Sequence, residues 1–333
     1  MLHKAFLPFP IYAALDTEPE GRKSMSADIS VKKRSKNRRF MPLYLMMGPG
    51  LLYLLINNYI PMLGIIIAFK QVNFRVGILK SPFVGLSNFK FLFKGDAWLI
   101  TRNTIGYNLL FIVLTPVVAI TVAILLNELK SLMAKKVYQT LILIPYLISI
   151  VVVSYLVYAL LSTDNGFMNN TILPMFGIDP VSWYSSPQYW PFILVITHIW
   201  KGFGYSTIIY YATLVGIDKS YYEAAAVDGA GRWARIWNVT IPCLKSTIIT
   251  MTLLSIGRIF YSDFGLFYQV PMSSGPLLDV TNTIDTYVYR GLMQSNNIGM
   301  SSAAGLYQSV VGFILVLTAN IITSKISKED ALF

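Results

Sequence analysis

Residues 105–126 read IGYNLLFIVLTPVVAITVAILL, 22 residues without a charged side chain. A helix of that length and character crosses the roughly 30 Å hydrocarbon layer of a bilayer. Similar runs lie at about 43–68, 141–162, 192–215, 246–264 and 303–323. In lipid, only helices and closed barrels satisfy every backbone polar group. Runs this long and continuous argue for helices. The expected fold is an all-α membrane protein with six transmembrane helices. The fifth run is the least clean, because Arg258 and Asp263 interrupt it.

Composition agrees. The chain has 333 residues, 55% hydrophobic and 13% charged, with mean hydropathy +0.56. A typical soluble domain carries about 25% charged residues. Prolines punctuate the runs: Pro49 and Pro61 in the first, Pro116 in the second, Pro145 early in the third. A proline removes a backbone donor, so a bend is expected at Gly48-Pro49-Gly50, another at Pro61 and a kink near Pro145.

The net charge is +11, and its placement gives a topology. With the N-terminus inside, the tail 1–42, the loops 127–140 and 216–245 and the end 324–333 carry 18 Lys and Arg. The loops 69–104, 163–191 and 265–302 carry 7. The excess favours both termini in the cytoplasm. The loop 69–104 opposes this with six basic residues, but the cluster Lys32 to Arg39 beside the first span outweighs it. The basic balance reads as membrane topology and not as nucleic-acid binding. The loop 163–191 suits an external surface, and 265–302 is expected to hold a short helix near 282–293.

The lone Cys243 leaves no intrachain disulfide and no thiolate metal site. With only His3 and His198 besides, a metal centre is not expected, and His198 reads as a packed residue. Met1 to Ala14, broken by Pro8 and Pro10, is a poor signal peptide. Residues 1–42 read as a basic cytoplasmic tail, 43–324 as the membrane domain and 325–333 as a cytoplasmic end.

Between the fourth and fifth runs lies Tyr222-Glu223-Ala224-Ala225-Ala226-Val227-Asp228-Gly229-Ala230-Gly231. Ser220 with Glu223 three residues on fits a capping box, and Gly229 suits a left-handed helix end. A helix over 220–228 follows. Two turns are marginal alone, so another protein is expected to pack on it, against close-approaching alanines and the anchors Tyr221 and Tyr222.

The run Glu223-Ala224-Ala225, Asp228-Gly229-Ala230 and Ile241-Pro242 resembles the EAA loop of permease subunits of binding-protein-dependent ABC importers. The ending Val239-Thr240-Ile241-Pro242 departs mildly, with isoleucine where the family has leucine. Phe83-Val84-Gly85-Leu86-Ser87-Asn88-Phe89 looks like the F-x-G-L-x-N-F element of maltose-type carbohydrate permeases. Residues 200–205, Trp-Lys-Gly-Phe-Gly-Tyr, are most similar to permeases for polysaccharides and oligosaccharides. About 40 N-terminal residues lie outside the resemblance.

The resemblance implies a coupling helix that docks on a cytoplasmic ATPase dimer through Tyr222, Glu223, Ala224, Ala225, Asp228 and Gly229. It also implies a second six-helix permease chain, an extracytoplasmic solute-binding protein and a place in a bacterial cytoplasmic membrane. This chain has no phosphate loop, so ATP and Mg belong to the ATPase and no cofactor or catalytic residue is expected here.

Polar residues inside spans mark candidate paths. Ser255, Arg258 and Ser262 fall at helical spacing on one face. The resemblance assigns them to the sugar site, with Tyr261 beside them. Lys201 and Tyr205 add a cation and an aromatic face from the fourth run. If both cations face the path, the cargo is anionic, such as a uronate-bearing oligosaccharide. A permease for another small solute is the alternative. A membrane-embedded enzyme lacks its acid/base pair, and a channel or secondary transporter would leave the loop unexplained.

Overall fold

The structure, a computed structural model, describes residues 36–93 and 95–326. Most of the expected tail 1–42 and end 325–333 lie outside the described residues. The chain forms two units, Met1–Asn58 and Tyr59–Phe333.

In the first unit, α1 (Lys36–Leu54) stays α-helical through Pro42 and Pro49. The helix is not interrupted at 48–50, where one distortion was expected; a π-helical turn at Leu55–Tyr59 lies just ahead of Pro61, where the other was. Each proline deletes one donor, and a widened turn before it relieves the ring's clash with the preceding carbonyl.

The second unit holds α2 (Gly95–Glu128), α3 (Leu132–Leu147), α4 (Ile150–Leu161) and α5 (Trp190–Val215). There follow α6 (Lys219–Val227), α7 (Ile241–Ile256), α8 (Ile284–Met293) and α9 (Ile298–Ile326). Among the described residues, five helical stretches are long and apolar enough to cross a membrane. A sixth counts only if α3 and α4 are one span, bent by 91°.

Two expected spans are thus corrected. The third, expected over 141–162 with a kink near Pro145, starts at Leu132 and breaks outright at Ile148–Ser149, just beyond that proline. Ser149 then caps α4, its hydroxyl accepting the Val151 amide at 3.3 Å. The fifth, expected over 246–264, ends at Ile256 with Gly257 as its cap. Non-helical residues follow, then a π turn at Gly265–Gln269. The short helix expected near 282–293 is α8.

α2 is the spine of the second unit and packs most extensively against α5. Its residues enter three cores in turn. Ala97 and Ile100 meet Phe91, Phe260, Ile284 and Ala303. Tyr107 and Phe111 meet Trp190, Leu194 and Phe267. Ala119 and Ala123, one turn apart, meet Tyr210, Leu214 and Leu244. Small residues at that spacing let helix backbones approach closely.

The segment Phe83–Phe89 is a clamp. Gly85 adopts φ +58°, which an L side chain resists. The Asn88 amide then donates to the carbonyls of Ala68 (2.9 Å) and Lys70 (3.0 Å). Lys70 itself bonds the carbonyls of Ile78 and Leu79.

Candidate functional site

Two places gather the residues singled out in the sequence. The first is a cleft of about 460 Å³ within the second unit. Tyr205, Ser255, Arg258, Tyr261 and Ser262 all line it. Ser255, Arg258 and Ser262 do not share one helix face as expected, because α7 has ended before Arg258. The break itself carries Arg258, Tyr261 and Ser262 to the cleft. Asn108 of α2 holds that break, its amide donating to the carbonyls of Ile259 (2.9 Å) and Tyr261 (3.1 Å).

The five differ in availability. Arg258 is exposed. Among the described residues the one ion pair is the loose Arg232–Glu128 contact at 3.9 Å, so Arg258 has no carboxylate within 4.0 Å. Asp263 does not pair with it; the Asp263 carboxylate accepts the Leu266 amide at 3.1 Å. Ser262 is committed elsewhere, its amide and hydroxyl both donating to Asp285. The Ser255 hydroxyl bonds back to Met251 at 2.8 Å, as serines in helices often do. Tyr205 stacks on Tyr146 with centroids 4.9 Å apart and planes at 15°.

Lys201 is the exception. It is not a cleft residue, and its ammonium donates to the carbonyls of Tyr146 (3.0 Å) and Ile148 (2.8 Å) at the third-span break. A broken helix inside lipid frees carbonyls that demand donors, and this outcompetes facing a solvated path.

Sequence reading missed several lining residues. Asn108, Thr115, Tyr146 and Ser206 all face the cleft. Asn108 stood in plain view as a polar residue in an apolar run. His198 lines the cleft too, its ring flat on Phe111 at 3.6 Å.

The second place is α6. Its cap is Asp218, not Ser220: the Asp218 carboxylate accepts the Ser220 amide at 2.9 Å. That bond holds the Asp218 pKa below its ordinary value. The capping box expected from Ser220 and Glu223 does not form, since an ionised carboxylate two residues earlier is the stronger acceptor at a helix start. Glu223 is exposed and makes no hydrogen bond or ion pair among the described residues.

The helix ends as expected. Gly229 has φ +77°. The Ala230 amide bonds the Ala225 carbonyl (2.9 Å) and the Gly229 amide that of Ala226 (3.1 Å), a Schellman close. Ala224 and Asp228 are exposed and Ala225 is half-buried. Tyr222 turns inward, its hydroxyl 3.2 Å from that of Thr240, whereas Tyr221 points out.

The family described as "Binding-protein-dependent transport system inner membrane component" matches residues 116–328. Protein LplB of Bacillus subtilis is 35% identical over 95% of this chain and 99% of its own. The polygalacturonan/rhamnogalacturonan transport system permease protein YteP of the same organism is 35% identical, over 91% and 96%. A chain of a bacterial ABC transporter involved in import of the acidic polysaccharide alginate superposes with TM-score 0.79 at 32% identity. It covers 87% of this chain and 97% of that one.

Proposed function

This chain belongs to the family of binding-protein-dependent transport system inner membrane components, and on that premise we propose that it is a permease subunit importing an anionic oligosaccharide or polysaccharide. The observation that carries the anionic part is Arg258, a guanidinium on the cleft with no carboxylate partner among the described residues. Guanidinium and carboxylate fit in a bidentate fork. Relatives named for polygalacturonan and alginate support the same chemistry. The stacked Tyr146 and Tyr205 supply apolar faces for sugar rings.

The chain sits in the cytoplasmic membrane as a multi-pass subunit with both termini inside. It pairs with a second six-helix chain. α6 is its coupling helix and docks through Glu223 on an ATPase subunit that holds ATP and Mg. Closure of the ATPase dimer switches the cleft between inward- and outward-facing states, which requires nucleotide to favour one of them. A binding protein delivers the cargo; a bacterial alginate ABC transporter similar to this chain is solved in complex with an alginate pentasaccharide-bound periplasmic protein, which supports that reading.

The test is uptake by the assembled transporter in vesicles, with an oligogalacturonide and its methyl-esterified, neutral counterpart. Arg258→Ala should lower uptake of the acid and spare the ester. Equal handling of both by wild type and variant would overturn the anionic reading.

A further inference from the structure

We propose that Lys201 is a positioning residue that holds the α3–α4 break bent and thereby fixes the Tyr146 ring on the cleft wall; this rests on reading that cleft as the sugar path.

The break turns the chain by 91° between two apolar helices. A helix that stops leaves its last carbonyls without amide partners, and lipid offers none. An ammonium carries three donors on a flexible stem. Lys201 places it 3.0 Å from the Tyr146 carbonyl and 2.8 Å from that of Ile148. The same nitrogen lies 5.7 Å from the Tyr146 ring centroid. One side chain therefore holds both the backbone and the ring of the same residue.

α5 is shaped for this grip. Lys201, Gly204 and Tyr205 share one face at spacings of three and four. Gly204 presses on the α3 backbone, where any β-carbon would collide with the Ile142 carbonyl. Tyr205 meets the Tyr146 ring. On the far side of the break, Ile150 abuts Gly265, whose β-carbon would fall 2.7 Å from the Ile150 side chain. Gly265 directly follows the second break, which carries Arg258, Tyr261 and Ser262 into the cleft. The bend in the third span thus packs on the bend in the fifth, and Lys201 fastens it.

A residue acting through Tyr146 makes a distinctive prediction in a double-mutant cycle. The assay is oligogalacturonide uptake by the complete transporter in vesicles. Lys201→Met and Tyr146→Leu should each raise the half-saturating concentration by roughly fivefold, the scale of a lost aromatic contact, with little change in maximal rate. The double variant should be no worse than either single one, and Lys201→Arg should restore the wild-type value.

Additive shifts would mean that Lys201 touches cargo directly, and would overturn the proposal. So would a silent Lys201→Met. If Lys201→Met does not reach the membrane, Tyr146→Leu carries the test, and an unchanged half-saturating concentration there sinks the idea. Failure of the underlying sugar-path reading looks different: wild type itself would take up no oligogalacturonide, or Arg258→Ala would have no effect.

Discussion

The Asp285 carboxylate receives both the amide and the hydroxyl of Ser262, at 2.6 and 2.7 Å. Gln308 of α9 adds its amide to the same carboxylate at 3.2 Å and to the Phe260 carbonyl at 2.6 Å. Three donors from two elements meet on one side chain of α8, and the fifth-span break is tied there. Asp285→Asn replaces an acceptor with an amide group that faces those donors. A loss of about 1.5–3 kcal/mol is expected, read as a lower melting temperature of the solubilised protein. An unchanged melting temperature would show that the break is held by other contacts.

Asn88 stands in the clamp at the start of the second unit. Asn88→Ala strands the carbonyls of Ala68 and Lys70, of which Ala68 is fully buried. The expected cost is about 1–3 kcal/mol. Gly299→Ala should act on the same clamp from the opposite side, since its new carbon would sit 2.6 Å from the Asn88 amide nitrogen. Thermal melting of both variants, alone and combined, checks this. Non-additive losses are expected because the two positions share one contact.

Gly229 has φ +77° with open space around its α-carbon. Gly229→Ala should therefore act through backbone strain alone, at about 1–2 kcal/mol, loosening the end of α6. Glu223→Gln keeps the shape and removes the charge. On the proposed docking role, both should lower uptake driven by ATP while the subunit still assembles in the membrane. Transport and ATPase rates measured together decide the matter, and full coupling in both variants would reduce the segment to a well-capped turn.

Arg258→Lys keeps the charge but loses the planar fork. Half-saturation for an oligogalacturonide is expected to worsen by about tenfold in Arg258→Ala and by less in Arg258→Lys, in line with a charge-assisted bond. The shift should shrink at high salt for the part of the attraction that solvent reaches. An Arg258→Lys variant worse than Arg258→Ala would contradict a favourable charge at that position.

Much of the architecture was legible because lipid imposes it. Apolar length fixes a span almost regardless of detail, so the runs around 105–126, 192–215 and 303–323 match α2, α5 and α9 closely. Pro145 announced a kink, but the depth of that bend and the break after Ile256 were not legible. Residues 141–162 stay apolar through Ile148–Ser149, and what permits the bend is Lys201, 53 residues away in sequence. Likewise Gly257 ends α7, but the bonds that hold the following residues come from Asn108 and Asp285. The cap of α6 shows a local version of the problem. Asp218 and Ser220 are both good capping residues, and only geometry chose between them.

The site was half legible for the same reason. Cost singled out Arg258, because a charge in a span needs a purpose. The identical argument misplaced Lys201, whose purpose is backbone. Tyr146 and His198 carried no signal that separates a cleft wall from a core.

Lys201 and Arg258 share one circumstance. The Lys201 ammonium reaches from α5 to the C-terminal end of α3, and Arg258 lies two positions past the C-terminal end of α7. Each interrupted helix presents the negative pole of its macrodipole there. A cation balanced by a helix pole instead of a carboxylate has no counterion to surrender. An acidic sugar reaching Arg258 would have no carboxylate of the described residues to displace. The broken α7 would then act as a diffuse, immobile counterion that holds the Arg258 charge at the cleft and still leaves it open to an anion in transit.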